Sequence, residues 1–182
     1  MSQFGSPPGD VQFPVIPESP FGLPPFHQVA IFMPTRQRVD AAVDMMKLLG
    51  VDEWHHDEPL YKGLVFDRRV ECYGYLRFNY QILGGFELEF LTHEGESPWL
   101  EWSRKIGGVA FVSHMSCYVN NVYETAEQLR PHIGAPYYIR ETHDHINDHV
   151  KGIKRFREYI YNTRDTMGFD VKTIQRIPHG DG

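Results

Sequence analysis

The sequence predicts an α+β fold in which two β-α-β-β-β modules pair as an incomplete barrel around one central cavity. Three observations lead there. The same order of elements runs over residues 26–92 and again over residues 109–176. Strand side chains alternate with period two, so each strand offers one face to a helix and one to a shared interior. A chain of 182 residues with 41% hydrophobic and 23% charged residues is also an ordinary globular composition. At that length roughly two thirds of the unfolded surface is buried on folding, with no need of a disulfide or metal staple.

Residues 1–25 hold seven of the thirteen prolines and read as an extended N-terminal arm, because a packed element there would lack too many backbone donors. Order begins near Phe26. FHQVAIFM is a strand, rich in aromatic and β-branched residues. Over residues 36–49, Val39, Ala42, Val43, Met46 and Leu49 follow helical spacing, and Gly50 ends the helix. LYKGLVF, ECYGYLRFNY and FELEFLT are three further strands, and residues 93–105 read as a polar loop that holds Trp99 and Trp102. The pattern then restarts with the strand VAFVSHMSCYV. Asn121 and Glu124 have capping-box spacing ahead of a helix whose apolar side is Val122, Ala126 and Leu129. APYYIR, FREYIYN and FDVKTIQ complete the second set, with Gly168 in the last tight turn. Residues 177–182 read as a tail.

Composition narrows the partners. Lys+Arg is 18 against Asp+Glu 24, a formal charge of -6, which argues against a general grip on nucleic acid or an anionic membrane. No apolar run approaches the length of a membrane-spanning helix, and the N-terminus lacks a signal-peptide pattern. Cys72 and Cys117 sit in apolar runs and read as buried, reduced thiols, which points to the cytoplasm.

Ten histidines are the unusual count. His27 and His114 occupy the same place in the two opening strands, 87 positions apart. In FELEFL, Phe86, Leu88 and Phe90 form an apolar face, so Glu87 and Glu89 point the other way, where a carboxylate is costly to bury unless paired or ligated. Two imidazoles and a carboxylate converging on a cavity suit Zn, Fe, Mn, Co or Ni. Tyr118, Tyr159 and Tyr161 are candidates to orient a substrate, although aromatic strand residues more often serve packing.

These stretches resemble the vicinal oxygen chelate superfamily, the glyoxalase/bleomycin resistance/dioxygenase proteins. The resemblance covers roughly residues 26–176. It rests on FHQVAIFMPTRQRVDAAVDMMKLLG, FELEFLTHEGESPW, GGVAFVSHMSCYVNNVYETAEQL and YIYNTRDTMGFDVKTIQ, in that order and spacing. THEGESPW and its downstream glycines are also similar to a loop of methylmalonyl-CoA epimerases. The resemblance implies a divalent metal held at four strand positions, of which His27, Glu89 and His114 match the first three. The fourth is Lys172 where the family has glutamate, and a charged lysine is no metal ligand. Asp170 shares its strand face and is the alternative. Glu158 and the His143/His145/His149 group are other donors.

The implied chemistry is chelation of two neighbouring substrate oxygens and proton transfer by a nearby carboxylate. The leading reading is a metal-dependent lyase, isomerase or epimerase acting on a small oxygenated metabolite. Glu89, Lys172 and Tyr118 are its candidate catalytic residues, and Lys172 also suits a substrate carboxylate or phosphate. A mononuclear iron dioxygenase and a non-enzymatic ligand-binding protein are the alternatives. A homodimer is implied by the resemblance alone. His93 belongs near the cavity mouth, and His55 and His56 on the surface.

Overall fold

The computed structural model describes residues 26–65, 68–83, 86–144 and 153–178. The expected arm over residues 1–25 lies outside them, as do His145, His149 and the side chain of His143. The first half contains β1 (Gln28–Phe32), α1 (Arg36–Leu48), β2 (His55–Asp57), β3 (Leu60–Val65), β4 (Arg68–Leu83) and β5 (Phe86–Gly95). α2 (Pro98–Lys105) leads to the second half: β6 (Phe111–Tyr118), α3 (Val122–Ile133), β7 (Tyr138–Asp144), β8 (Ile153–Tyr161), α4 (Arg164–Met167) and β9 (Asp170–Pro178).

The barrel is closed, which corrects the expected incomplete one. Its eight strands run β4-β3-β7-β8-β9-β6-β1-β5, and β5 pairs back onto β4. β2 is an extra strand. The length of β4 explains the closure. One edge of this 16-residue strand pairs β3 through Arg68–Tyr73 and β2 through Leu76–Phe78. Its other edge carries β5, from Cys72↔Gly95 to Leu83↔Phe86. The halves join twice, at the antiparallel β1–β6 ladder and at a short β3–β7 contact, Leu64↔Ile139 and Val65↔Tyr138.

Two faces of each strand bury different things. Outside, Val39 and Val43 of α1 pack on Leu88 and Phe90, with Val29 and Ile31 alongside. Leu49 ends this helix as its C-cap and is solvent-exposed, so the apolar stripe stops one turn earlier than its spacing suggests. On the opposite module Val122, Ala126 and Leu129 cover Tyr159, Tyr161 and Val171. Tyr159 and Tyr161 are therefore helix-packing residues. Inside the barrel, Ala30, Phe32, Leu76, Phe78, Leu91, Tyr138 and Ile160 meet. Each large apolar side chain buried this way contributes roughly 1.5–3 kcal/mol.

The polar loop expected over residues 93–105 is strand as far as Gly95 and then helix α2. Ser97 caps that helix by accepting the Leu100 N–H, and Pro98 sits in its first turn, where its missing donor costs nothing. Trp99 enters the interior cluster at 5% exposure. Asn121 caps α3 by accepting the N–H groups of Tyr123 and Glu124. Asn121→Ala is expected to cost about 1 kcal/mol, read as a lower urea midpoint with an unchanged slope.

Candidate active site in the barrel interior

The ladders stack polar residues in two rungs. In the first, Gln28 is level with Glu87 on β5 and Ser116 on β6, and Ser116 is level with Lys172 on β9. In the second, Ala30 is level with Glu89 and His114, and His114 is level with Asp170. Because Leu88 and Phe90 turn outward to α1, Glu87 and Glu89 turn inward, both buried.

The first rung is bonded throughout. The Ser116 hydroxyl donates to Gln28 Oε1, and the Gln28 amide donates to Glu87 Oε1. Lys172 Nζ lies 2.9 Å from Glu158 Oε1, and Arg140 lies 3.3 Å from Glu158 Oε2. The Arg140 guanidinium also covers the Tyr61 ring at 4.1 Å. Gly74 makes this possible, since a methyl group there would collide with the Tyr61 ring and Leu76.

The second rung is not. Glu89 Oε2 and His114 Nε2 are 3.6 Å apart, at 2% and 4% exposure, and neither has a hydrogen-bond partner. Burial pushes the Glu89 carboxyl up to about 7 against the pull of Lys172, and holds the His114 imidazole well below its usual range, with Lys172 acting the same way. The contact is thus a protonatable carboxyl beside an uncharged imidazole. Glu87 is likewise raised to about 7, by burial and then by the charge of Glu89.

A cavity of about 60 Å³ lies between these groups, lined by Gln28, Glu87, Glu89, Tyr118, Arg140, Glu158 and Lys172 among others. That is room for a few waters or a compact metabolite. A smaller chamber of about 20 Å³ continues toward Trp99 and shares Glu89, Glu158, Lys172 and Tyr61 with it. His93 lines this inner chamber rather than a mouth. Phe32, Tyr61 and Trp99 surround its ring, and its Nδ1 is 2.7 Å from Ser97 Oγ. Burial lowers its pKa to about 3.

The other expected ligands lie elsewhere. His27 stands just before β1, and its backbone N–H donates to the Ser116 carbonyl, on the rung beyond the one His114 occupies. Its Nδ1 accepts the Tyr118 N–H at 3.1 Å, and its ring stacks on Tyr118. Burial, helped by Arg176, lowers its pKa to about 2. The Asp170 carboxylate accepts from Tyr137 Oη at 2.8 Å and pairs with Arg164. Among the described residues no three His, Cys, Asp or Glu side chains form a metal-holding group. Glu89 and His114 supply two donors where a zinc or facial iron set needs three or more, and the level residue on β1 is Ala30. The described residues do not make up a metal-holding set, so no step below passes through a metal.

Sequence reasoning missed Gln28 and Arg140. Gln28 stands one residue from His27, and FHQVAIFM is apolar on both alternating faces, so periodicity alone does not choose between them. Arg140 ends APYYIR, and its partner Glu158 is set only by the β7–β8 register.

The barrel is similar to that of a substituted 4-hydroxymandelate synthase from Streptomyces coelicolor, with a TM-score of 0.52 at 9% identity, covering 86% of this chain and 50% of that one. The chain thus spans about half the length of that protein. Methylmalonyl-CoA epimerase from Mycobacterium tuberculosis gives a TM-score of 0.49 at 13% identity over 84% of this chain and 88% of that one. A substituted Streptomyces coelicolor methylmalonyl-CoA epimerase in complex with 2-nitronate-propionyl-CoA gives 0.49 at 15% identity over 84% and 97%. The sequence matches no protein-family model and no curated protein. The chain has the vicinal oxygen chelate fold. At these identities the likeness speaks for the fold alone.

Proposed function

We propose that the protein is an enzyme of isomerase or lyase type that moves a proton on a compact oxygenated metabolite held inside the barrel. The observation that carries this reading is Glu89: a buried carboxyl raised to about 7, with one bare oxygen 3.6 Å from His114 Nε2, on the wall of the cavity. A carboxyl poised there accepts and returns a proton near neutral pH, whereas an ordinary one is too weak a base. In the proposed reaction Glu89 takes the proton from a carbon next to a carbonyl or carboxyl group. Negative charge then gathers on the substrate oxygen, beside Lys172 and Arg140. Return of the proton to the same carbon gives an epimer, and return to its neighbour gives an isomer. Tyr118, with its ring under the Arg176 guanidinium at 3.6 Å, positions the substrate from the cavity wall.

The dioxygenase reading needs two histidines and a carboxylate on one face of a metal. His27 is instead engaged with Tyr118, whose N–H it accepts and on whose ring it stacks. The binding-protein reading has one observation in its favour: Glu158 already neutralises both Lys172 and Arg140. Incubation with small hydroxy and keto acids in D₂O, followed by proton NMR, separates the two. Enzyme-dependent loss of the signal next to the carbonyl supports the enzyme. Saturable binding with no exchange for any bound acid supports the binding protein.

A cytoplasmic site and a homodimer belong to the same proposal. Cys72 and Cys117 are both free and buried, as suits a reducing compartment. Met45, Leu48 and Leu49 give α1 an exposed apolar edge. Among the described residues no helix is long and apolar enough to cross a membrane.

A further inference from the structure

The β1–β6 ladder is irregular at one point: Ala30 pairs with His114 and Ile31 with Val112, so Ser113 is left over as the extra residue of a β-bulge. Such a residue redirects the backbone and side chains beside it. Here the result is specific. Ser113 is fully buried, its hydroxyl donates to the carbonyl of Ala30 at 3.1 Å, and the same Oγ lies 3.0 Å from His114 Nδ1. A serine hydroxyl has one hydrogen and two lone pairs. With the hydrogen committed to Ala30, Oγ meets His114 only as an acceptor, and Nδ1 must be the donor. An uncharged imidazole carries one N–H, so Nε2 is then bare.

We propose that Ser113 is a positioning residue that fixes His114 as its Nδ1–H tautomer and presents Nε2 to Glu89 as a hydrogen-bond acceptor. The bulge is the device. In an unbroken ladder the residue next to His114 would point to the opposite face of the sheet, and its hydroxyl would not reach both Ala30 O and Nδ1. The bare Nε2 suits Glu89 Oε2 at 3.6 Å: an unprotonated Nε2 offers its lone pair to a protonated carboxyl, and an Nε2–H would offer that proton no acceptor. The role in catalysis rests on the proposed function. The tautomer does not.

The test is nitrogen-15 NMR of the full-length protein labelled on histidine, with His114 assigned by His114→Gln, and repeated on Ser113→Ala and Ser113→Thr. Wild type is expected to show a protonated Nδ1 and an unprotonated Nε2 at His114. Ser113→Ala is expected to lose that single signature, and Ser113→Thr, which keeps the hydroxyl, to retain it. A wild-type His114 protonated at Nε2 overturns the proposal without any variant, so a Ser113→Ala that fails to fold leaves it testable. A folded Ser113→Ala with unchanged tautomer also overturns it. If a substrate is found, Ser113→Ala should lower kcat by about tenfold or more, with Ser113→Thr restoring it. Lack of any activity with the tautomer as stated would sink the proposed function and leave the role of Ser113 intact.

Discussion

Glu89→Gln is expected to lower proton exchange on the substrate by about 10²–10⁴-fold while making the protein more stable above neutral pH. Glutamine has nearly the shape of the protonated acid and cannot ionise. Activity falls because the bare buried carboxyl oxygen 3.6 Å from His114 Nε2 is gone. Stability rises for a reason of linkage. The Glu89 carboxyl titrates near 7 when folded and near 4.5 when exposed. Below about pH 4.5 both states are protonated and the group makes no difference. As pH climbs from there to 7, the unfolded chain gives up the proton and the folded one keeps it, so wild type loses stability. At 1.36 kcal/mol per pKa unit the loss is about 2–4 kcal/mol, complete above pH 7. Glu87, shifted the same way by burial and by Glu89, adds to that slope. Urea midpoints at pH 5 and pH 8 check this. Wild type should lose more between them than Glu89→Gln, and equal losses would show that Glu89 is not held protonated.

Glu158→Leu is expected to cost about 3–5 kcal/mol, the largest stability loss of any single change in the cavity. Glu158 is the shared partner of Lys172 and Arg140, and all three side chains are nearly or fully withdrawn from water. Removing it leaves two buried cations without the carboxylate they share. Lys172→Met should cost less, because Glu158 keeps Arg140. The triple variant Glu158→Leu, Lys172→Met, Arg140→Met should regain much of the loss, since an apolar filling of similar volume avoids desolvating charge. Chemical denaturation of the four proteins decides it. A cost below about 1 kcal/mol for Glu158→Leu would mean that water reaches the triad and screens it.

Much of the site was legible because some strands state their orientation locally. In FELEFL one face is aromatic and aliphatic and the other carries two acids, so Glu87 and Glu89 were placed inward from the alternation alone, and the structure puts them on the cavity wall. His114, with Tyr118 on the same face, stands out by holding the place in its opening strand that His27 holds in the other, and both residues line the interior. In FHQVAIFM both faces are apolar, so the alternation carried no orientation. His27 drew attention as a histidine, whereas Gln28 is the residue that lines the cavity. Ser97 and Pro98 are ordinary helix-start signals, and α2 was open to reading from them.

The sequence by itself determined the eight barrel strands, the helices α1 and α3, the Asn121 cap and the inward acids, because each depends on residues a few positions apart. Only the tertiary structure decided the rest. Closure of the barrel hangs on the length of β4 and on two residue pairs between β3 and β7, far apart in the chain. The Arg140–Glu158–Lys172 triad depends on the registers of β7 with β8 and β8 with β9. The Ser113 bulge appears only when β1 and β6 are laid side by side. Register is a property of two strands at once, and a shift of one residue turns every side chain to the other face. Local periodicity therefore fixed what each strand offers, and the ladders fixed which offers meet.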